Sequence, residues 1–92
     1  MNNVATMLKA EGSTVVDVRT REEYAGGHVA GSINIPLNEV PDRVGELKKM
    51  GNLVLCCASG GRSGQATTYL SQYGINCVNG GSWINVNYLK NN

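Results

Sequence analysis

Apolar residues fall along the chain in short clusters of two kinds, some at helical spacing and some as continuous β-branched or aliphatic runs. Val4 to Ala10 reads as a short helix closed by Gly12, since glycine takes the left-handed conformation just past a helix end. Thr14 to Val18 (Thr-Val-Val-Asp-Val) is β-branched and reads as a strand. Thr20, followed three residues later by Glu23, is a capping box that opens a short helix, which Gly26-Gly27 ends. Ser32 to Ile35 is a brief strand stopped by Pro36. Asn38 is then the expected cap of a helix with Pro41 in its first turn and with Val40, Val44 and Leu47 on one face. Gly45 weakens that helix, and a break is expected there. Asn52 to Cys56 is nearly continuous apolar sequence, as in a strand buried on both faces. Ser63 to Tyr73 reads as a helix with Ala66, Leu70 and Tyr73 inward and Gly74 as its stop. Ile75 to Asn79 is a fourth strand, and Ser82 caps a terminal helix rich in asparagine.

Strands and helices therefore alternate. Short strands joined by helical crossovers run parallel, and the crossovers cover the faces of the sheet. The expected fold is α/β, with a small central parallel sheet of four or five strands flanked by helices. Ninety-two residues at 9.8 kDa hold one such domain, spanning 1–92, and not two independent cores. Twelve glycines, three pairs among them, are the punctuation of tight turns and not of a linker. No internal repeat or low-complexity tract is present.

Charge and composition remove several functions. Eight Lys+Arg against seven Asp+Glu, with no basic block, leaves little for non-specific binding to nucleic acid. The longest apolar run, Leu53 to Ala58, is far short of the ~20 residues of a membrane-spanning helix. The start, Met1-Asn2-Asn3-Val4, lacks the cationic and apolar regions of a signal peptide. Three cysteines, two of them adjacent, argue against a disulfide-stapled fold. A reducing, cytoplasmic location is expected, and so is a monomer, for want of a long apolar stripe.

In an open parallel sheet, function gathers at the carboxyl ends of the strands. Asp17-Val18-Arg19 lies there, and so does Cys57-Ala58-Ser59-Gly60-Gly61-Arg62-Ser63. In the second segment a buried strand runs through small residues directly into a helix. Such a loop can curl until successive N–H groups converge on one point, and the helix terminus adds further donors and a positive dipole end. The group at the centre should be an anion, and Cys57 as a thiolate is the natural occupant. Surroundings of this kind can bring a cysteine pKa from ~8.5 to between ~3.5 and ~7.5. Arg62 closes the loop with a permanent cation. Cys56 and Cys77 are read as inert core residues. Successive strand residues point to opposite faces, so Cys56 and Cys57 cannot share the cradle.

These segments resemble the single-domain rhodanese-like sulfurtransferases. Cys57 to Ser63 is similar to their active-site loop. Asp17-Val18-Arg19 with Glu23-Tyr24, Gly27-His28, Gly31-Ser32 and Asn34-Ile35-Pro36 is similar to their upstream signature, in the same order. The resemblance runs from about Thr14 to Gly81. It implies a cysteine persulfide intermediate on Cys57, a substrate cradle of Ala58, Ser59, Gly60, Gly61, Arg62 and Ser63, and no metal or organic cofactor. Thiosulfate or a persulfide would be the donor, and cyanide, a thiol or a protein cysteine the acceptor, with neither nucleic acid nor membrane as partner. Two departures stand out. The family's short strand before the first helix has no counterpart, and Trp83 follows the double glycine after one residue instead of a few.

Asp17 and Arg19, two apart at a strand end, share a face and are expected to support the site by pairing with each other or with the loop. His28 is the sole histidine, and the family motif suggests that it stabilises a turn; Tyr24 is read as a packing residue. Two other functions compete. Counted from Cys56, the segment fits the cysteine, five residues, arginine spacing of a phosphatase or arsenate reductase, although Leu55 stands where such enzymes usually have histidine. A sulfur-carrier or partner-binding module would use the same loop without turnover.

Overall fold

The structure, a computed structural model, describes residues 3–92; Met1 and Asn2, part of the start read above for a signal peptide, lie outside them. The described elements are α1 (Asn3–Lys9), β1 (Ser13–Asp17), α2 (Arg21–Ala25), β2 (Ile33–Asn34), a 3-10 helix (Leu37–Arg43), α3 (Val44–Lys48), β3 (Asn52–Cys57), α4 (Gly61–Ser71), β4 (Cys77–Ser82) and α5 (Trp83–Lys90). The four strands form one parallel sheet in the order β2-β1-β3-β4.

Two apolar layers sandwich the sheet, and side-chain alternation on its central strands assigns them. Val16, Leu53, Leu55 and Cys57 face one layer, with Val40, Leu47, Ala66 and Leu70 from the 3-10 helix, α3 and α4. Val15, Val54 and Cys56 face the other, with Val86 of α5 and partly buried Val4, Met7 and Leu8 of α1. Leu53, Val54, Leu55 and Cys56 are all fully buried. At ~25 cal/mol per Å2 of apolar surface removed from water, this double-sided burial is the main stabilising term.

Local chemistry explains the ends of most elements. Thr20 and Glu23 form both halves of the capping box of α2, and Ser82 accepts from Asn85 N at the start of α5. Gly74, with φ +77°, turns the chain after α4 into a conformation that a β-carbon would strain. Three expectations are corrected. Asn38 is not a cap: the helix begins directly after Pro36, and the N–H of Leu37 donates to Val18 O at 3.0 Å, leaving Asn38 inside the first turn. Pro41 sits within 3-10 geometry, and the break falls at Arg43–Val44 instead of Gly45. Tyr73 lies past the end of α4 and is 43% exposed, its hydroxyl 3.1 Å from that of Tyr69.

The fourth strand lies later than its apolar pattern suggests. It begins at Cys77 and continues through Gly80-Gly81 to Ser82, with an irregularity opposite Leu55 and Cys56 that skips Gly80. A β-carbon on Gly80 would lie 2.7 Å from Val86 Cγ2 and 2.9 Å from Val54 Cγ1. Gly80 is thus a place of close packing within the sheet, while Gly81 is the member of the pair with a left-handed φ of +82°.

Candidate functional site

β3 ends at Cys57, and the chain turns through Ala58, Ser59 and Gly60 into α4. Gly60 has φ +105°, a conformation that strains any side chain, and a β-carbon there would also crowd Gly81 Cα at 3.3 Å. The curl brings three donors onto the Cys57 sulfur. Gly60 N–H donates at 3.0 Å and Ser63 N–H at 3.4 Å, and the Ser63 hydroxyl lies 3.4 Å away with its single proton shared with Asn79 Oδ1 at 2.7 Å. Cys57 is 1% exposed, and that burial on its own pushes the thiol up. The Ser63 hydroxyl and the N–H groups of Ser63, Gly60 and Ser59 outweigh it and hold the thiol down at about 7. A thiol of this kind is substantially ionised at neutral pH, as a nucleophile must be.

Cys56 has the opposite environment. It projects into the other layer, where burial first and the charge of Asp17 second push its thiol up to about 12. The adjacent cysteines therefore differ by face, and only Cys57 has donors aimed at its sulfur. Cys77 is half-buried on β4, with Ser71 Oγ 3.6 Å from its sulfur.

Asp17 and Arg19 pair with each other. Arg19 Nε lies 3.0 Å from each carboxylate oxygen and Nη2 lies 2.8 Å from Oδ2, while Nη2 also donates to Gly27 O at 2.7 Å and Nη1 to Glu23 O at 3.3 Å. The guanidinium lies 4.9 Å above the ring of Trp83. Asp17 is the register partner of Cys56, and Trp83 packs into Cys56's layer. The cluster braces α2 and the turn at Gly27 against the sheet from the face opposite the Cys57 sulfur. Trp83 therefore belongs to this brace. His28 Nδ1 lies 2.7 Å from Tyr24 O, and its ring stacks on Tyr24 at 3.8 Å, which makes it a turn residue as expected. Tyr24 donates its hydroxyl to Ser32 O at 2.6 Å, so it ties down the chain as well as packing.

Arg62 is engaged with Glu23: Nη1 lies 2.7 Å from Oε1 and Nη2 3.1 Å from Oε2. The Arg62 guanidinium, with Thr20 N–H, draws the Glu23 carboxyl down to about 2. In the sequence Glu23 reads as a cap and as part of the upstream signature, and Asn79 gives no direct sign of a role in the site. Asn79 Nδ2 donates to Gly60 O at 3.1 Å, and its Oδ1 accepts from Ser63 Oγ at 2.7 Å and from Gly81 N at 3.0 Å. This one amide ties the loop, the first turn of α4 and the irregular stretch of β4 together. The only signal available was its position beside the glycine pair.

The comparisons with known proteins agree with this fold. The family described as "Rhodanese-like domain" matches residues 1–83. The chain belongs to the rhodanese-like domain family. A sulfurtransferase of Allochromatium vinosum is 39% identical over 72 residues, which cover 78% of this chain and 67% of that protein. Thiosulfate sulfurtransferase PspE of Escherichia coli is 43% identical over 65 residues, covering 68% of this chain and 62% of its own length. A rhodanese-like domain protein of Staphylococcus aureus superposes with a TM-score of 0.76 at 32% identity, over 89% of this chain and 80% of that one. The chain thus spans about two thirds of the length of these two curated relatives. The family, and relatives named sulfurtransferase, support sulfur transfer as the general activity. Among the described residues no helix is long and apolar enough to cross a membrane.

Proposed function

We propose that this domain is a thiosulfate sulfurtransferase that moves a sulfane sulfur between a donor and a thiophilic acceptor through a persulfide on Cys57. The Cys57 thiolate attacks the outer sulfur of thiosulfate; the S–S bond of the donor breaks, and its electron pair leaves with sulfite. A new S–S bond holds the sulfur on Cys57 as an anionic persulfide. In the second step an acceptor such as cyanide attacks the outer sulfur and departs as thiocyanate, restoring the thiolate. A thiol acceptor in its thiolate form would depart as a persulfide. Both steps conserve charge, and neither needs a base once Cys57 is ionised. This is covalent catalysis with ping-pong kinetics.

The observation that carries the reading is the convergence of Gly60 N–H, Ser63 N–H and the Ser63 hydroxyl on one sulfur. Donors fixed in advance around an anion stabilise both the thiolate and the persulfide that replaces it. Ala58, Ser59 and Gly61 complete the cradle, Arg62 meets the anionic donor at its rim, and Asp17 with Arg19 holds the neighbouring turn. Against a phosphatase counted from Cys56 stands the position of that residue, buried in the opposite layer with its thiol at about 12. A carrier would share the first half-reaction and lack the second.

Steady-state production of thiocyanate from thiosulfate and cyanide tests the reading. Parallel double-reciprocal lines over many turnovers, with negligible hydrolysis of p-nitrophenyl phosphate, are the expected result. A single turnover would favour the carrier, and robust phosphatase activity lost with Cys56 would favour the phosphatase.

A further inference from the structure

We infer that Glu23 sets the donor preference of this cradle, by neutralising Arg62 and so favouring singly charged sulfane donors over doubly charged ones; the inference rests on the sulfurtransferase reading above. Between Cys57 and Ser63 the loop carries Ala58, Ser59, Gly60 and Gly61, so Arg62 is its only cation. Glu23 Oε1 and Oε2 take both terminal nitrogens of that cation, at 2.7 and 3.1 Å. The full charges at the rim cancel. Those of Asp17 and Arg19, at 2.8 Å from each other, cancel as well. Among the described residues of the rim, a donor approaching the thiolate therefore meets a negative sulfur with no net cation to offset it, and the penalty grows with the donor's own charge.

Neither capping nor stability requires the charge on Glu23. Its cap contact is Oε1, which accepts from Thr20 N–H at 3.0 Å, and a glutamine at this position caps as well. Both side chains of the pair are more than a third exposed (Arg62 36%, Glu23 37%), where ion pairs contribute little to folding. What the carboxylate adds is the cancellation of Arg62. A pair so exposed can also open, so its charge balance governs the approach of a donor without sealing the cradle.

The test compares two donors of one shape and different charge, thiosulfate and methanethiosulfonate, in which a methyl group replaces one anionic oxygen. The latter delivers its terminal sulfur to the thiolate and leaves as methanesulfinate. Glu23→Gln keeps the cap and frees the charge of Arg62. At low salt it should raise kcat/KM for thiosulfate about tenfold and for methanethiosulfonate about threefold, the smaller charge feeling half the attraction. The gain should lie in KM and fade as salt shortens the screening length. Arg62→Gln, which leaves the carboxylate uncompensated, should move the ratio of the two donors the other way. A ratio unchanged in both variants, while the parent chain turns over both donors, overturns the role of Glu23 alone. A parent chain that accepts sulfur from neither donor overturns the sulfurtransferase reading, and this inference with it.

Discussion

Replacing Ser63 with alanine removes one of the three donors to the Cys57 sulfur and leaves both backbone N–H groups in place. The residue is completely buried, and alanine is smaller, so the fold should accept the change. A hydrogen bond to a charged group contributes about 1.5–3 kcal/mol. Here the lower end applies, because the contact is 3.4 Å and the single hydroxyl proton is also claimed by Asn79 Oδ1 at 2.7 Å. About 1.5 kcal/mol corresponds to roughly one pKa unit. The Cys57 thiol, held at about 7, should therefore rise by roughly that amount in Ser63→Ala. Alkylation by iodoacetamide, followed as a rate against pH, reads the midpoint directly. One unit below the parent's midpoint the variant should react close to tenfold more slowly, and well above both midpoints the two should match. An unchanged or lowered midpoint would refute the reasoning. It would mean that the proton stays on the Asn79 side and that Ser63 presents only a lone pair to the sulfur.

Other expectations follow from the same geometry. Cys57→Ser should abolish sulfur transfer, whereas Cys56→Ser should keep it and lose about 1–3 kcal/mol for a hydroxyl buried in an apolar layer, measured by urea unfolding. Gly80→Ala should destabilise by about 1–3 kcal/mol through the clash with Val86 and Val54, while Gly45→Ala, with no atom within 4 Å and a helical site, should stabilise by about 0.5–1 kcal/mol; equal melting temperatures would contradict both. Between about 7 and 9.0 the folded chain has Cys57 ionised and the unfolded chain does not, so stability should rise with pH across that window and be lost as pH falls through about 7. Above 9.0 the raised Cys56 thiol acts in reverse and stability should fall; Cys57→Ala should remove the rise and spare the fall.

What was legible in the sequence was local. The capping box at Thr20 and Glu23, the cap at Ser82 and the opposed faces of Cys56 and Cys57 all depend on a few consecutive residues, and the structure has each of them. The α/β order followed from the alternation of short strands with helical stretches. What was not legible depends on partners remote in the chain. Arg62 and Glu23 are 39 residues apart, and nothing in either segment announces that a capping glutamate will also hold the loop's arginine. Asn79 gained its role from the register irregularity in β4, which places it beside the loop. Gly80-Gly81 looked like a turn because glycine usually marks one, yet Gly80 is required by Val54 and Val86 packed against it. Trp83, which follows the glycine pair after one residue instead of a few, meets Arg19 and Gly27, because α5 begins one residue after that pair and covers the opposite face.

Intact-mass spectrometry after incubation with thiosulfate, followed by peptide mapping, tests the central claim most directly. The account predicts a gain of one sulfur atom, carried by Cys57 and removed by cyanide with release of thiocyanate. An adduct on Cys56 or Cys77, or no adduct at all on a folded chain, would contradict it.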